Sequence, residues 1–253
     1  MDTSNRKKVI AFDLDGTLAE SKSPLSEEMA SLICRLLETY SVAIISGGAF
    51  PQFKKQILDT LRNPSEEILG RLFLFPTNGA ALYAYRNSAW HCEYEDLLTQ
   101  EEKDMIAHAW ERALSHSDIV LPNPSYGPVM EDRGPQISFS ACGQQAPIAV
   151  KSVWDPDGAK RTVLREIMLP LLPEFTISLG GMSTIDITKK GIDKAYAIEK
   201  IIDYLKVSKN DIMFVGDKLE PGGNDYPAKR AGVECVAVSD PQETAELIKK
   251  LIQ

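Results

Sequence analysis

Two carboxylates stand two residues apart near the start of the chain, directly after a short apolar run. Residues 9–12 are branched or aromatic for the most part, and Asp13, Asp15 and Gly16 follow them. Such a run indicates a buried strand, and the glycine indicates the turn that ends it. Crowded carboxylates repel each other unless a cation lies between them, and a hard divalent cation prefers oxygen ligands. The simpler interpretation is a strand followed by an Asp-Gly turn.

The same pair also has the chemistry needed to cleave a phosphate ester. A carboxylate such as Asp13 can form an acyl phosphate and so divide the cleavage into two easier steps. Asp15 can then protonate the leaving oxygen and deprotonate water. The spacing of two allows these separate roles, with one side chain and one backbone carbonyl facing a metal ion. Thr17 is expected to orient Asp15 by a hydrogen bond.

A serine and two glycines end the next predicted strand. Residues 42–45 are apolar, and Ser46 and Gly47 follow them before a helix that starts at Phe50. A hydroxyl and the glycine amides at the start of a helix suit phosphoryl oxygens. An N-cap serine in a loop is the alternative.

A lysine stands at the start of a later helix. Lys194 follows Asp193 at the beginning of a helix predicted over residues 193–205. A cation is unfavourable near a helix N-terminus, so its position indicates an anionic partner, such as a phosphate and the nucleophile. The alternative is a solvated surface lysine.

Further oxygen ligands follow the apolar segment at residues 212–215. Gly216 and Asp217 follow this segment, and a glycine-rich loop then brings Asn224 and Asp225. This arrangement suits magnesium, which keeps several waters and takes only one or two carboxylates directly. The alternative is a turn with Asx caps.

The order of elements around these residues predicts an α/β fold. Strands and helices alternate up to about residue 85, which implies a parallel, doubly wound sheet. Residues 87–188 instead combine a strand at 90–94, helices at 101–114 and 155–172, and hairpins around Gly134-Pro135 and Gly180-Gly181. The α/β alternation returns at Ile192. We therefore expect one domain in residues 1–86 and 189–253, interrupted by an α+β module in residues 87–188.

The bulk composition is that of an ordinary globular protein. The chain has 253 residues, 43% of them hydrophobic, and a net charge of −8. This charge argues against non-specific binding to nucleic acid or an anionic membrane, but a local cation still permits an anionic substrate. The four cysteines show no CxxC spacing, so neither a zinc site nor a disulfide framework is expected. With no apolar leader and no membrane-length segment, a cytoplasmic location is expected.

In this order, the motifs resemble those of the haloacid dehalogenase superfamily of phosphotransferases. The resemblance covers essentially the whole chain and implies a Rossmann-like core with an inserted α+β cap. Within that superfamily, residues 216–225 are similar to the metal loop of phosphomannomutase, and residues 180–194 are similar to its return from cap to core. The resemblance implies Mg²⁺ as cofactor. It also implies the metal ligands Asp13, Asp15 (through its carbonyl), Asp217, Asn224 and Asp225.

The cap departs from the phosphomannomutase pattern at cationic positions. Arg133 matches, but Gln144 stands where the family has arginine, and Lys151 falls where a third family arginine would be. A mutase must hold a second phosphate, and glutamine cannot replace the bidentate charge of arginine. The cap residues expected to contact substrate are Arg133, Gln144, Lys151, Thr184 and Asp186, and a plain polar strand face is the alternative for Thr184 and Asp186.

The sequence therefore favours a magnesium-dependent phosphatase of a small phosphorylated metabolite, most simply a sugar phosphate. The alternatives are a mutase of the phosphomannomutase type and a catalytically silent metabolite-binding module. No nucleic acid or membrane partner is expected, and the sequence leaves monomer and homodimer open.

Overall fold

The computed structural model describes residues 7–253, in which strands and helices alternate over most of the length. The strands are β1 (Val9–Asp13), β2 (Ser41–Ile45), β3 (Leu72–Phe75), β4 (Ala81–Arg86), β5 (Ala89–Glu95), β6 (Met130–Asp132), β7 (Gln136–Ser140), β8 (Phe175–Gly180), β9 (Thr184–Lys189), β10 (Ile212–Gly216) and β11 (Glu234–Ala237). The α-helices are α1 (Glu27–Leu37), α2 (Phe50–Gln56), α3 (Glu66–Leu69), α4 (Gln100–Ser115), α5 (Ile148–Trp154), α6 (Ala159–Met168), α7 (Lys194–Leu205), α8 (Tyr226–Arg230) and α9 (Pro241–Leu251).

The chain divides into two compact units. The first runs up to Glu95 and resumes over Asp193–Gln253, and the second is Asp96–Ile192. Both boundaries lie later in the chain than expected, since the sequence analysis placed them after residues 86 and 188. The reason at the first boundary is β5, which pairs antiparallel with β4 and so completes the sheet of the first unit.

The first unit is built on a seven-stranded sheet with the order β11-β10-β1-β2-β3-β4-β5. β1 lies in its interior and pairs in parallel with both β10 and β2. Every residue of β1 is buried, as expected for a strand covered on both faces. Ile10 and Phe12 pack into one apolar cluster and Val9 and Ala11 into another, so the sheet has a hydrophobic core on each side. This confirms the predicted α/β fold with a parallel-rich sheet.

The second unit is built on a four-stranded antiparallel sheet with the order β6-β7-β9-β8. One face packs against helices, and the rings of Trp110 and Phe139 stack with centroids 4.4 Å apart. The alternate residues of β7 and β9 are polar, and these side chains are buried as well. Their identities are Gln136, Ser138, Ser140, Thr184, Asp186 and Thr188.

Several helices differ from their predicted bounds. The helix expected over residues 155–172 begins only at Ala159, because Gly158 before it has a φ of +75° and breaks the helical path. α5 was not predicted, and Asp155 lies at its C-terminal end. α2 begins at Phe50, as expected, and ends at Gln56. Within residues 7–253, no helix combines the length and apolar character needed to cross a bilayer.

Candidate active site

Asp13 ends β1, and its side chain is only 2% exposed. Its Oδ1 accepts a hydrogen bond from the ammonium group of Lys194. Its Oδ2 is buried and has no hydrogen-bond partner in the described part of the chain. A buried carboxylate oxygen left unpaired is costly, so this atom points to a ligand or a reacting group.

Lys194 is the first residue of α7 and is 1% exposed. Its ammonium group forms ion pairs with both Asp13 and Asp225. The solvated surface lysine considered from sequence is therefore wrong. The start of α7 is fixed by Asp193, whose Oδ1 accepts hydrogen bonds from two amides of the first turn, at 2.8 and 3.2 Å.

The buried charges around Lys194 shift the pKa values of Asp13 and Lys194. Burial raises the pKa of Asp13 to about 7, the carboxylates of Asp225 and Asp217 add to this, and Lys194 opposes it. Burial alone would lower the pKa of Lys194, but the two carboxylates beside it outweigh burial and raise it. Lys194 is therefore charged, as an electrophilic partner for phosphate must be.

The glycine-rich loop after β10 supplies the rest of the cluster. Asp225 is fully buried, its Oδ1 pairs with Lys194, and its Oδ2 accepts from the Lys218 amide at 3.0 Å. Both of its oxygens are thus committed to holding Lys194 and the loop. Asp217 Oδ1 and Asn224 Oδ1 are instead buried without a hydrogen-bond partner among residues 7–253.

These unpartnered oxygens fit a hard cation. Asp13, Asp217 and Asp225 each place one carboxylate oxygen so that all three lie within 4.8 Å of one another. Asp13 Oδ2, Asp217 Oδ1 and Asn224 Oδ1 have no protein donor in the described residues, and oxygen donors are what magnesium prefers. Burial raises the pKa of Asp217, and a cation bound beside it would favour its charged form.

The Asp15 side chain contacts residues of the segment after β1 and of α2. Its Oδ1 accepts hydrogen bonds from the Lys22 amide at 2.7 Å and from Gln56 Nε2 at 3.1 Å. The expectation that Thr17 orients Asp15 is wrong, because Thr17 Oγ1 is buried with no partner in the described residues. Gly16 allows the turn to approach Asp217, since a Cβ at this position, where φ is +95°, would lie 2.6 Å from Asp217 Oδ2.

Ser46 and Gly47 follow β2 at the same edge of the sheet. Ser46 is buried, and its Oγ accepts a long hydrogen bond of 3.4 Å from the Gly48 amide. It does not cap α2, whose N-cap residue is Ala49. The alternative of a helix N-cap serine is therefore wrong, and Ser46 and Gly47 stay predictions as phosphoryl contacts.

The predicted cap residues all lie in the second unit, where Arg133 and Asp186 have polar side-chain partners. Arg133 donates to Glu131 Oε2 at 2.8 and 2.6 Å and lies 3.8 Å from Asp186. Asp186 accepts from the Ser138 hydroxyl, its cross-strand partner, at 2.7 Å. Thr184 and Lys151 are buried on β9 and α5.

The Gln144 side chain contacts two backbone carbonyls. Its Nε2 donates to the Ser138 carbonyl at 3.1 Å and to the Val129 carbonyl at 3.4 Å. The amide thus links the residue before β6 to the middle of β7. Its predicted contact with substrate stays a prediction.

Sequence reasoning missed three buried polar residues. Gln56 contacts Asp15, and Arg161 forms a buried ion pair with Asp155 at 2.7 Å while donating to the Gly180 and Gly181 carbonyls at 3.0 Å. Thr77 is buried, has a φ of +52°, and its hydroxyl has no partner in the described chain. A β-branched residue in the left-handed region is strained, and only the turn-forming Asn-Gly pair after it signals this in the sequence.

Solved structures place this fold in a known class. The chain superposes on an IMP-nucleotidase from Plasmodium falciparum with a TM-score of 0.74 and 16% identity, covering 98% of this chain and 69% of that one. It also superposes on a haloacid dehalogenase-like hydrolase from Bacteroides thetaiotaomicron with a TM-score of 0.61 and 17% identity, covering 97% and 100%. The fold is therefore that of the haloacid dehalogenase superfamily.

Sequence comparisons narrow the class to one family. The family model of eukaryotic phosphomannomutase matches residues 29–253. A phosphomannomutase from Encephalitozoon cuniculi is 26% identical over 98% of this chain and 95% of its own length. Another from Saccharomyces cerevisiae is 26% identical over 86% and 83%. The chain belongs to the eukaryotic phosphomannomutase family, and the resemblance seen in its motifs is confirmed.

Proposed function

We propose that this protein is a sugar-phosphate mutase that moves a phosphoryl group by way of an aspartyl phosphate on Asp13. The observation that carries the proposal is the buried ammonium of Lys194, which bridges Asp13 and Asp225 beside the unpartnered Oδ2 of Asp13. A nucleophilic carboxylate, a fixed cation and open oxygen ligands at one place are what phosphoryl transfer requires.

In the first step, the Asp13 carboxylate attacks phosphorus and forms a new P–O bond as the ester P–O bond breaks. The leaving sugar oxygen takes a proton from Asp15. In the second step, Asp15 removes a proton from the acceptor hydroxyl, whose oxygen takes the phosphoryl group and releases Asp13. Lys194 balances the charge on the transferring group, and Ser46 and Gly47 bind its oxygens.

Magnesium is the cofactor that we propose for this site. Asp13, the Asp15 carbonyl and Asp217 would hold it, with Asn224 beside them, and Asp225 acts by fixing Lys194. When bound, the ion neutralises negative charge on the transferring phosphoryl group. The three unpartnered oxygens described above support this assignment.

The choice of acceptor separates a mutase from a phosphatase. The relatives named phosphomannomutase support a sugar hydroxyl as acceptor, and the match extends through the second unit. The phosphatase favoured by the sequence stays the second candidate, because Gln144 lacks the charge of arginine and donates to backbone carbonyls. We propose that Arg133, Lys151, Thr184 and Asp186 select the sugar phosphate.

One assay decides between the two. Mannose 1-phosphate is supplied with glucose 1,6-bisphosphate and Mg²⁺, and both mannose 6-phosphate and inorganic phosphate are measured. A mutase forms mannose 6-phosphate with little free phosphate, and a phosphatase releases phosphate at the same rate as it consumes substrate. Release of phosphate without isomerisation would overturn the mutase proposal.

The assignment to Asp13 has its own control. Asp13→Asn removes the nucleophile but nearly keeps the size of the side chain, so isomerisation and phosphate release are both expected to fall to background. EDTA is expected to abolish both activities in the unaltered protein, and added Mg²⁺ to restore them. Activity that survives in Asp13→Asn would place the reaction elsewhere.

A further inference from the structure

Gln56 contacts the carboxylate that we assign as general acid and base. It is the last residue of α2 and is 2% exposed. Its Nε2 donates to Asp15 Oδ1 at 3.1 Å and to the Ser23 carbonyl at 2.8 Å. Both amide protons of Gln56 are therefore used within the first unit.

The orientation of this amide is fixed by its other end. Gln56 Oε1 accepts a hydrogen bond of 2.6 Å from Gln52 Nε2, one helical turn earlier. A half-turn of the amide would point Oε1 at the Asp15 carboxylate and the Ser23 carbonyl, which are both acceptors. Repulsion thus excludes that alternative, and Gln56 is a donor toward Asp15.

Gln56 also forms hydrogen bonds with both ends of the segment from Asp15 to Ser23, which follows β1. Its side chain binds Asp15 at one end and Ser23 at the other, and its backbone carbonyl accepts from the Leu25 amide at 2.9 Å. The Lys22 amide gives Asp15 Oδ1 a second donor at 2.7 Å. Asp15 Oδ1 therefore has two donors, one from the backbone and one from the side chain of Gln56.

We infer that Gln56 is a positioning residue, which fixes the Asp15 carboxylate through Oδ1 and leaves Oδ2 as the oxygen that exchanges the proton. The inference rests on the proposed function, since it concerns the proton transfer of that reaction. Gln56 touches Asp15 and not the reacting atoms, so its effect is confined to steps that need this proton. A residue that only supported the fold would affect every step of the reaction alike, whereas Gln56 is expected to affect only the steps that need the Asp15 proton.

The test compares two esters that differ in their need for a proton. Gln56→Met keeps the length of the side chain but removes both donors. The measured quantity is leaving-group release in a single turnover, from glucose 1,6-bisphosphate and from p-nitrophenyl phosphate. We expect a loss of about 10–100-fold for the sugar ester, part of the ~10²–10⁴-fold that general acid catalysis supplies. Release of p-nitrophenolate, which leaves as a stable anion, is expected to change less than about threefold.

The controls separate this inference from the proposed function. Gln242→Met, at an exposed position on α9, is expected to leave both rates unchanged. Equal losses on the two esters in Gln56→Met would overturn the inference. Failure of the unaltered protein to release either leaving group would instead overturn the proposed function.

A double-mutant cycle gives a second measurement that needs only the sugar ester. If Gln56 acts through Asp15, then Gln56→Met causes no further loss of rate in the Asp15→Asn background. Additive losses would show that Gln56 acts on something else, and would overturn the inference. Thermal unfolding of each variant confirms that the rates belong to folded protein.

Discussion

The ammonium of Lys194 compensates two buried carboxylates, Asp13 and Asp225. A buried ion pair seldom stabilises a fold more than apolar residues of the same volume would, because removing charges from water is costly. Losing one partner is different, since the remaining charges are then buried without compensation. The cluster is therefore best understood as serving chemistry, and the fold depends on its completeness.

The first prediction concerns the dependence of the fold on the complete cluster of Lys194, Asp13 and Asp225. Lys194→Met is expected to destabilise the protein by about 3–5 kcal/mol and to abolish phosphoryl transfer, because Asp13 and Asp225 lose their cation. Urea unfolding and the mutase assay measure the two effects. Adding Asp225→Asn to Lys194→Met is expected to recover part of the stability but none of the activity.

The matched control is a lysine on the surface. Lys249 forms ion pairs with Glu28 and Glu246 at 2.8 and 2.7 Å, but its side chain is 38% exposed. Lys249→Met is expected to leave the stability nearly unchanged, because water screens an exposed ion pair. A similar loss from both lysine variants would contradict the special role of Lys194.

The second prediction follows from the raised pKa of Asp13, from 3.8 to about 7. Without metal, the folded state holds this proton more tightly than the unfolded state does. The resulting stability is fully present below about pH 4 and is lost as the pH rises through 7. Mg²⁺ instead binds more tightly at higher pH, because below pH 7 it must displace the proton from Asp13.

The stabilisation by Mg²⁺ is therefore expected to be larger at pH 8 than at pH 6. Affinity falls about tenfold per pH unit below the pKa, so the gain at fixed Mg²⁺ differs by about 1.4 kcal/mol. Thermal unfolding with and without Mg²⁺ at the two pH values measures this. Asp13→Asn, which has no proton to displace, is expected to remove most of the difference. An equal gain at both pH values would argue against Asp13 as a ligand.

At the scale of elements, α7 must approach the connection between β3 and β4 for Lys194 to reach Asp13. Gly79 in this connection has a φ of +92°, and a Cβ on it would lie 2.6 Å from Ala197 Cβ. Ala197 is one helical turn after Lys194 and is fully buried. The absence of a side chain at Gly79 thus sets how closely α7 packs.

The third prediction uses two glycines that share a backbone conformation but not an environment. Gly232 has a φ of +82°, and a Cβ on it would meet no heavy atom within 4 Å. Gly232→Ala is expected to cost about 1–2 kcal/mol from backbone strain alone. Gly79→Ala is expected to cost about 1–3 kcal/mol more, from the contact with Ala197, and to lower the rate of phosphoryl transfer.

Urea unfolding and single-turnover kinetics of both variants measure these effects. Gly232→Ala serves as the control. It strains the backbone but causes no clash with α7, so the rate of phosphoryl transfer is expected to stay unchanged. Equal losses of stability, or a rate unchanged in Gly79→Ala, would show that α7 tolerates displacement.

Strands with strong apolar patterns could be predicted from the sequence. Contacts between side chains far apart in the chain could not. β1 and β10 follow from their unbroken apolar runs, and Asp13 and Asp217 follow from where those runs end. The contact between Asp15 and Gln56 joins residues 41 positions apart, and it depends on how α2 packs rather than on any local pattern. A local pattern favours Thr17, which is close in sequence, and that expectation is wrong for this reason.

At the scale of the whole molecule, the presence of an inserted α+β module was predictable, but its limits were not. The strand at residues 90–94 has no local feature that assigns it to one unit, and only its pairing with β4 places it in the first. The helix expected from residue 155 begins later, because Asp155 and Pro156 are typical of a helix start but Gly158 after them has a φ of +75°. Periodicity reports which faces are apolar and does not report where a helix breaks.

The pairing of β1 with β10 has a consequence for how the chain folds during synthesis. Val9 pairs with Ile212, and the bond between Lys194 and Asp13 joins residues 181 positions apart. Ribosomes add about 5–20 residues per second, so one edge of β1 waits roughly 10–40 s for its partner. Throughout that interval an apolar strand edge stays open to other chains, as aggregation-prone edges are. Folding of the first unit is therefore completed only after synthesis is nearly finished, and a nascent chain of this protein is expected to need protection by chaperones.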